Sequence, residues 1–362
     1  MAISGHHGHH GHHGHHGHHG HHGHHGAGAE GAESPLLSSA LATSAEGIMG
    51  YWNGTPTRTS HQGTGAWQDF MRLQPSARMA VMQHETASLF GVSASAGSLT
   101  LATAGGAALL TLTPPSVANL EAQLVHLRTA ADLRGDRMAE ILVQAGDMLS
   151  FYGAQFQLHP DRKKWTHVLL AAAYQAVIVP EMRLKLHASL PRPIDMAEQV
   201  QPIIQTPSHS TYPSGHATEA FAFATVISAL SLAAAGNAAP GAALIAQLQP
   251  GSGASTSDLL AFRLAARIAD NRTVAGVHFP VDSAHGALLG LTCGLAFLGL
   301  CGTSSGAVPS FAATGADWTG YFNLDDWRAA LVGWQVTDVA QTPAGSANIL
   351  PLLWAQALAE WV

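Results

Sequence analysis

Three short segments of this chain carry residue types that chemistry needs: Lys185–Pro193 (KLHASLPRP), Pro213–His216 (PSGH) and Asn271–Asp282 (NRTVAGVHFPVD). Lys185, Arg192 and Arg272 offer fixed positive charge, Ser214 a hydroxyl, Gly215 a turn without a side chain, and His216 and His278 an imidazole each. This set suits a tetrahedral oxyanion such as phosphate or its transition-metal mimic, vanadate. A guanidinium grips two oxygens at once, an ammonium adds a point charge, and backbone N–H groups at a helix start complete the cradle.

Each segment has its own logic. Lys185 and Arg192 are two helical turns apart and can share one face, unless Pro191 ends the helix first. Arg183 adds to a local concentration of charge in a chain with only 16 basic residues. Tyr212-Pro213-Ser214-Gly215-His216 runs into an apolar helix, whose first turn presents N–H groups and a favourable dipole to an anion. His216 then stands where it can act as general acid and base. His278 and Asp282 are spaced i, i+4, so the carboxylate can accept from one ring nitrogen. The other nitrogen is left to bond a metal or attack phosphorus. Taken singly, these are also a solvated helix end, a capped turn and a helix-surface hydrogen bond.

In order and spacing the three segments resemble the signature shared by type 2 phosphatidic acid phosphatases and vanadium-dependent haloperoxidases. That signature reads Lys-x6-Arg-Pro, Pro-Ser-Gly-His, Ser-Arg-x5-His-x3-Asp, and Asn271 stands where it has Ser. The resemblance, confined to residues 185–286, implies two chemistries. As a haloperoxidase, the chain would bind vanadate through His278, with Lys185, Arg192, Arg272, Ser214 and the Gly215 N–H holding its oxygens. His216 would deprotonate hydrogen peroxide, and halide would leave as hypohalous acid to halogenate a small organic substrate. As a soluble acid phosphatase, His278 would form a phosphohistidine and His216 would protonate the leaving group. His209, in the context QTPSHSTYPSGHA, occupies the position that carries histidine in bromoperoxidases. It points to a bromoperoxidase-like enzyme, oxidising bromide and iodide in preference to chloride, and the helical run ending Glu181-Met182-Arg183 resembles bacterial haloperoxidase-like proteins. Met182 stands where well-described haloperoxidases have tryptophan, which bears on the halide pocket. A non-catalytic anion-binding or assembly protein is the third reading.

These residues need elements to hold them. Gly5–His25 is GHH repeated, holds 14 of the 24 histidines, and reads as a purification tag within residues 1–26. Residues 27–362 are expected to form one domain, opening on a small-residue linker over 27–46. Helices are expected over 120–133, over 137–151 (Met138, Ile141, Leu142 and Met148 as the apolar face), and over 161–178 with Asp161 as N-cap. Further helices are expected over 182–190, 217–235, 259–270 and 278–299. Residues 88–116 read as irregular or a short hairpin, with Ser116 or Asn119 capping the next helix, and 236–257 as a loop. No stretch alternates as a convincing strand. The expected class is therefore all-α, helices packed as bundles, and the resemblance implies the haloperoxidase and acid phosphatase type.

Composition narrows the partners. Charged residues are only 11%, which points to a homo-oligomer with large contacts, and a net charge of −7 leaves no footprint for nucleic acid. The apolar run 286–302 reads as a buried bundle helix rather than a membrane span, Cys293 and Cys301 as buried small hydrophobes, and the Trp-rich tail 317–362 as packing surface. The tag stands where a secretory leader would have been removed, so the compartment, export included, stays open.

Overall fold

The computed structural model describes residues 35–55, 66–87, 89–95, 97–303, 306–341 and 349–362; the histidine repeat lies outside them. Met79–Val362 form one compact unit, and the described residues up to Arg78 belong to a second. In the second, residues 35–46 of the expected linker belong instead to a helix, α1 (Pro35–Met49), exposed along its whole length, while 27–34 lie outside the described residues; α2 (Ala66–Arg72) comes after it. Small residues such as Ala and Ser, read as linker, do not oppose helix. Helix α3 (Pro75–Ala87) crosses the boundary between the units.

The principal correction concerns the class. The fold is mostly helical, but it includes a five-stranded mixed sheet. Residues 88–116 hold β1 (Phe90–Ser95), β2 (Ser98–Thr103) and β3 (Ala108–Thr113), an antiparallel meander. On β2, Leu99 and Leu101 are buried between half-buried Ser98, Thr100 and Ala102, the period-2 pattern of a strand. On β3, neighbouring Leu109 and Leu110 are both buried, so this strand is covered on both faces.

Ser116 then caps α4 (Val117–Ala130), and Asn119 returns the bond as a capping box. The single helix expected over 137–151 is two, α5 (Arg134–Gln144) and α6 (Leu149–Phe156). Of its expected apolar face, Ile141 and Met148 are buried while Met138 and Leu142 are exposed. Two further expected helices are one, α7 (Lys164–Ala188), capped at Lys163 rather than Asp161, with Pro180 taken inside it. Proline usually breaks a helix by removing an N–H; here the buried packing of residues on both sides carries the helix through. Left-handed Ser189 ends α7, and Arg192 caps the short α8 (Pro193–Met196).

The core is a pair of long helices, α9 (Gly215–Ala234) and α12 (Pro280–Leu300). Between them lie α10 (Pro240–Leu248), in what was expected to be loop, and α11 (Leu260–Val274). Both α9 and α12 are long and apolar enough to cross a membrane, and both bury most of that surface within the chain. Glycines bring them together. A Cβ on Gly286 would fall 2.5 Å from the Ser214 carbonyl oxygen, and one on Gly290 2.2 Å from that of Thr218. Strand β4 (Ala307–Thr314) then pairs parallel with β3, α13 (Leu324–Trp334) comes next, β5 (Gln335–Ala340) closes the sheet edge, and α14 (Leu350–Ala359) packs on α7. The tail packs on its own unit as expected: Trp327 Nε1 donates to the Ala284 carbonyl at 3.0 Å, and Trp361 Nε1 to Thr166 Oγ1 at 3.0 Å. Cys293 and Cys301 are buried free thiols.

If close approach of α9 and α12 sets the site, Gly290→Ala should cost about 1–3 kcal/mol through overpacking. Thermal melting is expected to drop for that variant and not for Gly91→Ala, whose new methyl meets nothing within 4 Å. Equal melting of the two would contradict the packing argument.

Candidate active site

Close packing of α9 on α12 places the Pro213–His216 turn beside the start of α12, where the Ser214 N–H donates to the Asp282 carbonyl at 2.9 Å. Ser214 caps α9 and accepts from the Ala217 N–H, so the first-turn amides of Gly215 and His216 have no acceptor within the helix. At α12, Pro280 sits in the first turn, where its missing N–H costs nothing, and Gln123 of α4 accepts from the Val281 N–H at 3.0 Å. Asp282 Oδ2 caps the same turn through the Phe279 N–H at 2.9 Å.

That carboxylate also fixes His278. His278 Nδ1 lies 3.2 Å from Asp282 Oδ2, as the i, i+4 spacing led one to expect, and Thr211 donates to the same oxygen from Oγ1 at 2.5 Å. Burial, with Arg192, Lys185, His216 and His209 around it, holds the His278 pKa well below its ordinary value. The imidazole is therefore neutral, with the proton on Nδ1 and a basic Nε2. Arg192 Nη1 donates to that Nε2 at 3.1 Å. Burial raises Asp282 to about 6, against the opposing bond from Thr211.

The cations are buried and held mainly by carbonyl oxygens. Lys185, in the last turn of α7, donates from Nζ to the Pro213 carbonyl, with Glu181 Oε1 at 4.0 Å. Burial lowers its pKa to about 8, although Glu181 pulls the other way. Arg192 arrives from the loop after α7 rather than from the helix face, and donates to the carbonyls of His209 at 3.0 Å and Val277 at 2.9 Å. Arg272, in the last turn of α11, is fully buried and has no ion pair among the described residues. Its Nη2 reaches Gln144 Oε1 at 3.1 Å, but Nε and Nη1 have no hydrogen-bond partner. Burial alone pulls it down to about 9, still charged at neutral pH. A buried guanidinium with two donors and no acceptor is a fit for an oxyanion.

His216 is half-buried, and its Nε2 donates to the Gln144 carbonyl at 3.1 Å, which makes Nδ1 the basic nitrogen. His209 lies against Arg192, with Nδ1 3.1 Å from Nη2, at the edge of a cavity of about 500 Å³ lined in part by residues 189–192 and 206–210. The structure thus brings together Lys185, Arg192, Ser214, Gly215, His216, His278, Asp282 and His209, and Gln144 links Arg272 to them. Met182 is half-buried three residues before Lys185 and shares no bond with the cluster among the described residues; Arg183 is exposed. Asn271 donates to Glu140 Oε2 at 3.0 Å and to Gln144 Oε1 at 2.9 Å, the oxygen that also accepts from Arg272.

Three buried residues escaped the sequence reading. Thr211 had a usable signal, two residues before the Pro-Ser-Gly-His turn. Glu181 is one turn before Lys185, and its Oε1 would lie 2.5 Å from any Cβ at Gly215, a second reason for glycine there. Gln144 had no local signal. Among the described residues no group of three or more His, Cys, Asp or Glu could hold a cation.

Compared with known proteins, residues 164–304 match the family model of the PAP2 superfamily. The stretch from α7 through α12 is a PAP2 superfamily domain, and the sheet and α5 lie outside it. No curated protein matches the chain.

Lys185 sets an alkaline limit on anion binding. Its charge is present below its folded pKa of about 8 and is lost as the pH rises through it. Affinity for tungstate, whose own charge is constant over this range, is expected to fall above that pH. Lys185→Met should bind more weakly at neutral pH and lose the fall centred near pH 8, leaving only the later one that Arg272 sets near 9. A wild-type affinity flat with pH would contradict the placement of Lys185.

Proposed function

We propose that this chain is a vanadate-dependent haloperoxidase that uses hydrogen peroxide to oxidise bromide or iodide to hypohalous acid. PAP2 superfamily proteins include both haloperoxidases and phosphatases. The observation that favours the first is His209, seated on Arg192 where a solvent cavity meets the oxyanion cluster. Bromoperoxidases, which this segment resembles, carry histidine there.

Vanadate, when bound, supplies a Lewis acid that activates peroxide without changing oxidation state. The residues present fit it. Lys185, Arg192, Arg272, Ser214 and the Gly215 N–H are the donors for its oxygens, and His278 Nε2 is the ligand nitrogen. Asp282 and Thr211 hold the His278 ring so that the proton stays on Nδ1. His216 Nδ1 takes the proton from hydrogen peroxide, because its Nε2–H is committed to the Gln144 carbonyl. The neighbouring cavity admits halide and a small organic substrate beside His209.

Phosphomonoester hydrolysis is the second reading, favoured by the neutral, oriented His278. There its Nε2 attacks phosphorus and His216 protonates the leaving oxygen.

Tag-free protein, stripped and reconstituted with orthovanadate, is expected to brominate a dione dye in the presence of peroxide and to use chloride poorly. His278→Ala should lose stable vanadate retention. His216→Ala should keep vanadate and lose about 10²–10⁴-fold in turnover. Hydrolysis of p-nitrophenyl phosphate that vanadate inhibits, without bromination, would assign the site to the phosphatase.

A further inference from the structure

Gln144 ends α5, outside the PAP2 domain and outside all three sequence segments, yet it is 1% exposed and joins two of them. Its backbone carbonyl accepts from His216 Nε2 at 3.1 Å. Its Oε1 accepts from Arg272 Nη2 at 3.1 Å and from Asn271 Nδ2 at 2.9 Å.

The polarity of this arrangement is fixed from the protein surface inward. Glu140 Oε2, able only to accept, takes Asn271 Nδ2 at 3.0 Å, and Arg137, able only to donate, gives to Asn271 Oδ1 at 3.2 Å. Glu140 is itself locked as a carboxylate, with a pKa pulled to about 2 mainly by its bond to Arg267. Asn271 must therefore present an N–H to Gln144, and Gln144 must turn its oxygen toward both Asn271 and Arg272. Serine, which the resembled signature has at this position, lacks the length and the second functional atom for this relay.

What remains is Gln144 Nε2, a buried donor with no hydrogen-bond partner. It belongs to the carboxamide bonded to Arg272, whose Nε and Nη1 are likewise without partners. Unmet buried donors on two side chains bonded to each other are costly, and one ligand rich in acceptor oxygens satisfies them together.

We propose that Gln144 is an anion-binding residue of this site, donating from Nε2 to the oxyanion that Arg272 holds. Through its backbone carbonyl it also fixes the tautomer of His216. The proposal rests on the oxyanion reading of the site and not on the choice between haloperoxidase and phosphatase.

Two measurements on the tag-free full chain test it, with tungstate as the probe. Calorimetric titration of Gln144→Met is expected to show about 10- to 100-fold weaker binding than wild type, the range for a lost hydrogen bond to a charged group. In wild-type protein labelled with ¹⁵N at glutamine, a side-chain amide signal is expected to move downfield on adding tungstate. Its absence from the Gln144→Met spectrum assigns it, and its assignment by mutation to another glutamine would overturn the proposal. Unchanged affinity in a folded Gln144→Met, or an unmoved Gln144 amide at saturating tungstate, would overturn the proposal while leaving the oxyanion site in place. No tungstate binding by wild type would overturn both. If the variant does not fold, cross-relaxation of the shifting amide with the neighbouring Asn271 and Arg272 side chains assigns it instead, and its shift then decides the matter.

Discussion

The structure turns on one buried charge. Arg272 is fully enclosed, has no carboxylate partner among the described residues, and keeps two donor nitrogens, Nε and Nη1, without acceptors. Removing a guanidinium from water costs several kcal/mol unless its charge and donors are met. Lys185 and Arg192 share the predicament, and the fold meets most of their donors with carbonyl oxygens from the Ser210–Pro213 and Val277 segments rather than with carboxylates. Carbonyl dipoles solvate a cation without cancelling it. The nearby carboxylates, Glu181 and Asp282, are occupied with Lys185 and His278. The remaining positive field is what an oxyanion would neutralise.

Such a cluster demands a rigid frame, and α9 and α12 supply it. Glycines at 286 and 290 let α12 approach the α9 backbone, so that the anion-facing turn at Ser214 and the His278–Asp282 pair are set by one packing event. Helix α5 closes another side: through Gln144, the same residue touches Arg272 and His216. Thr211 and Asp282 fix one imidazole, and the Gln144 carbonyl fixes the other. Each histidine thereby has one nitrogen held by a neighbour that sets its orientation.

The sequence made the site legible because its chemistry lies within short windows. Lysine, arginine and histidine at fixed offsets, a Ser-Gly turn before an apolar helix and an i, i+4 His–Asp pair declare themselves locally. Gln144 acts through contacts with residues 72 and 128 positions away, and no window shows those. The sheet failed for a similar reason: β2 alternates, but its Ser, Thr and Ala dilute the pattern, and β3 finds its parallel partner β4 only after the whole helical core. Pro180 misled in the opposite sense, since a strong local breaker was overridden by burial around α7. Asn271 stands where the resembled signature has serine, and its bonds to Glu140 and Gln144 give it work that serine could not do.

The central claim is that Lys185, Arg192, Arg272 and the Ser214–His216 turn enclose a single oxyanion. A crystal structure of the tag-free protein grown with tungstate, phased on the tungsten signal, tests it most directly. One tungsten per chain is expected, within bonding reach of those three cations and the Gly215 N–H. A strong tungsten peak elsewhere, with this cluster empty at saturating tungstate, would contradict the account.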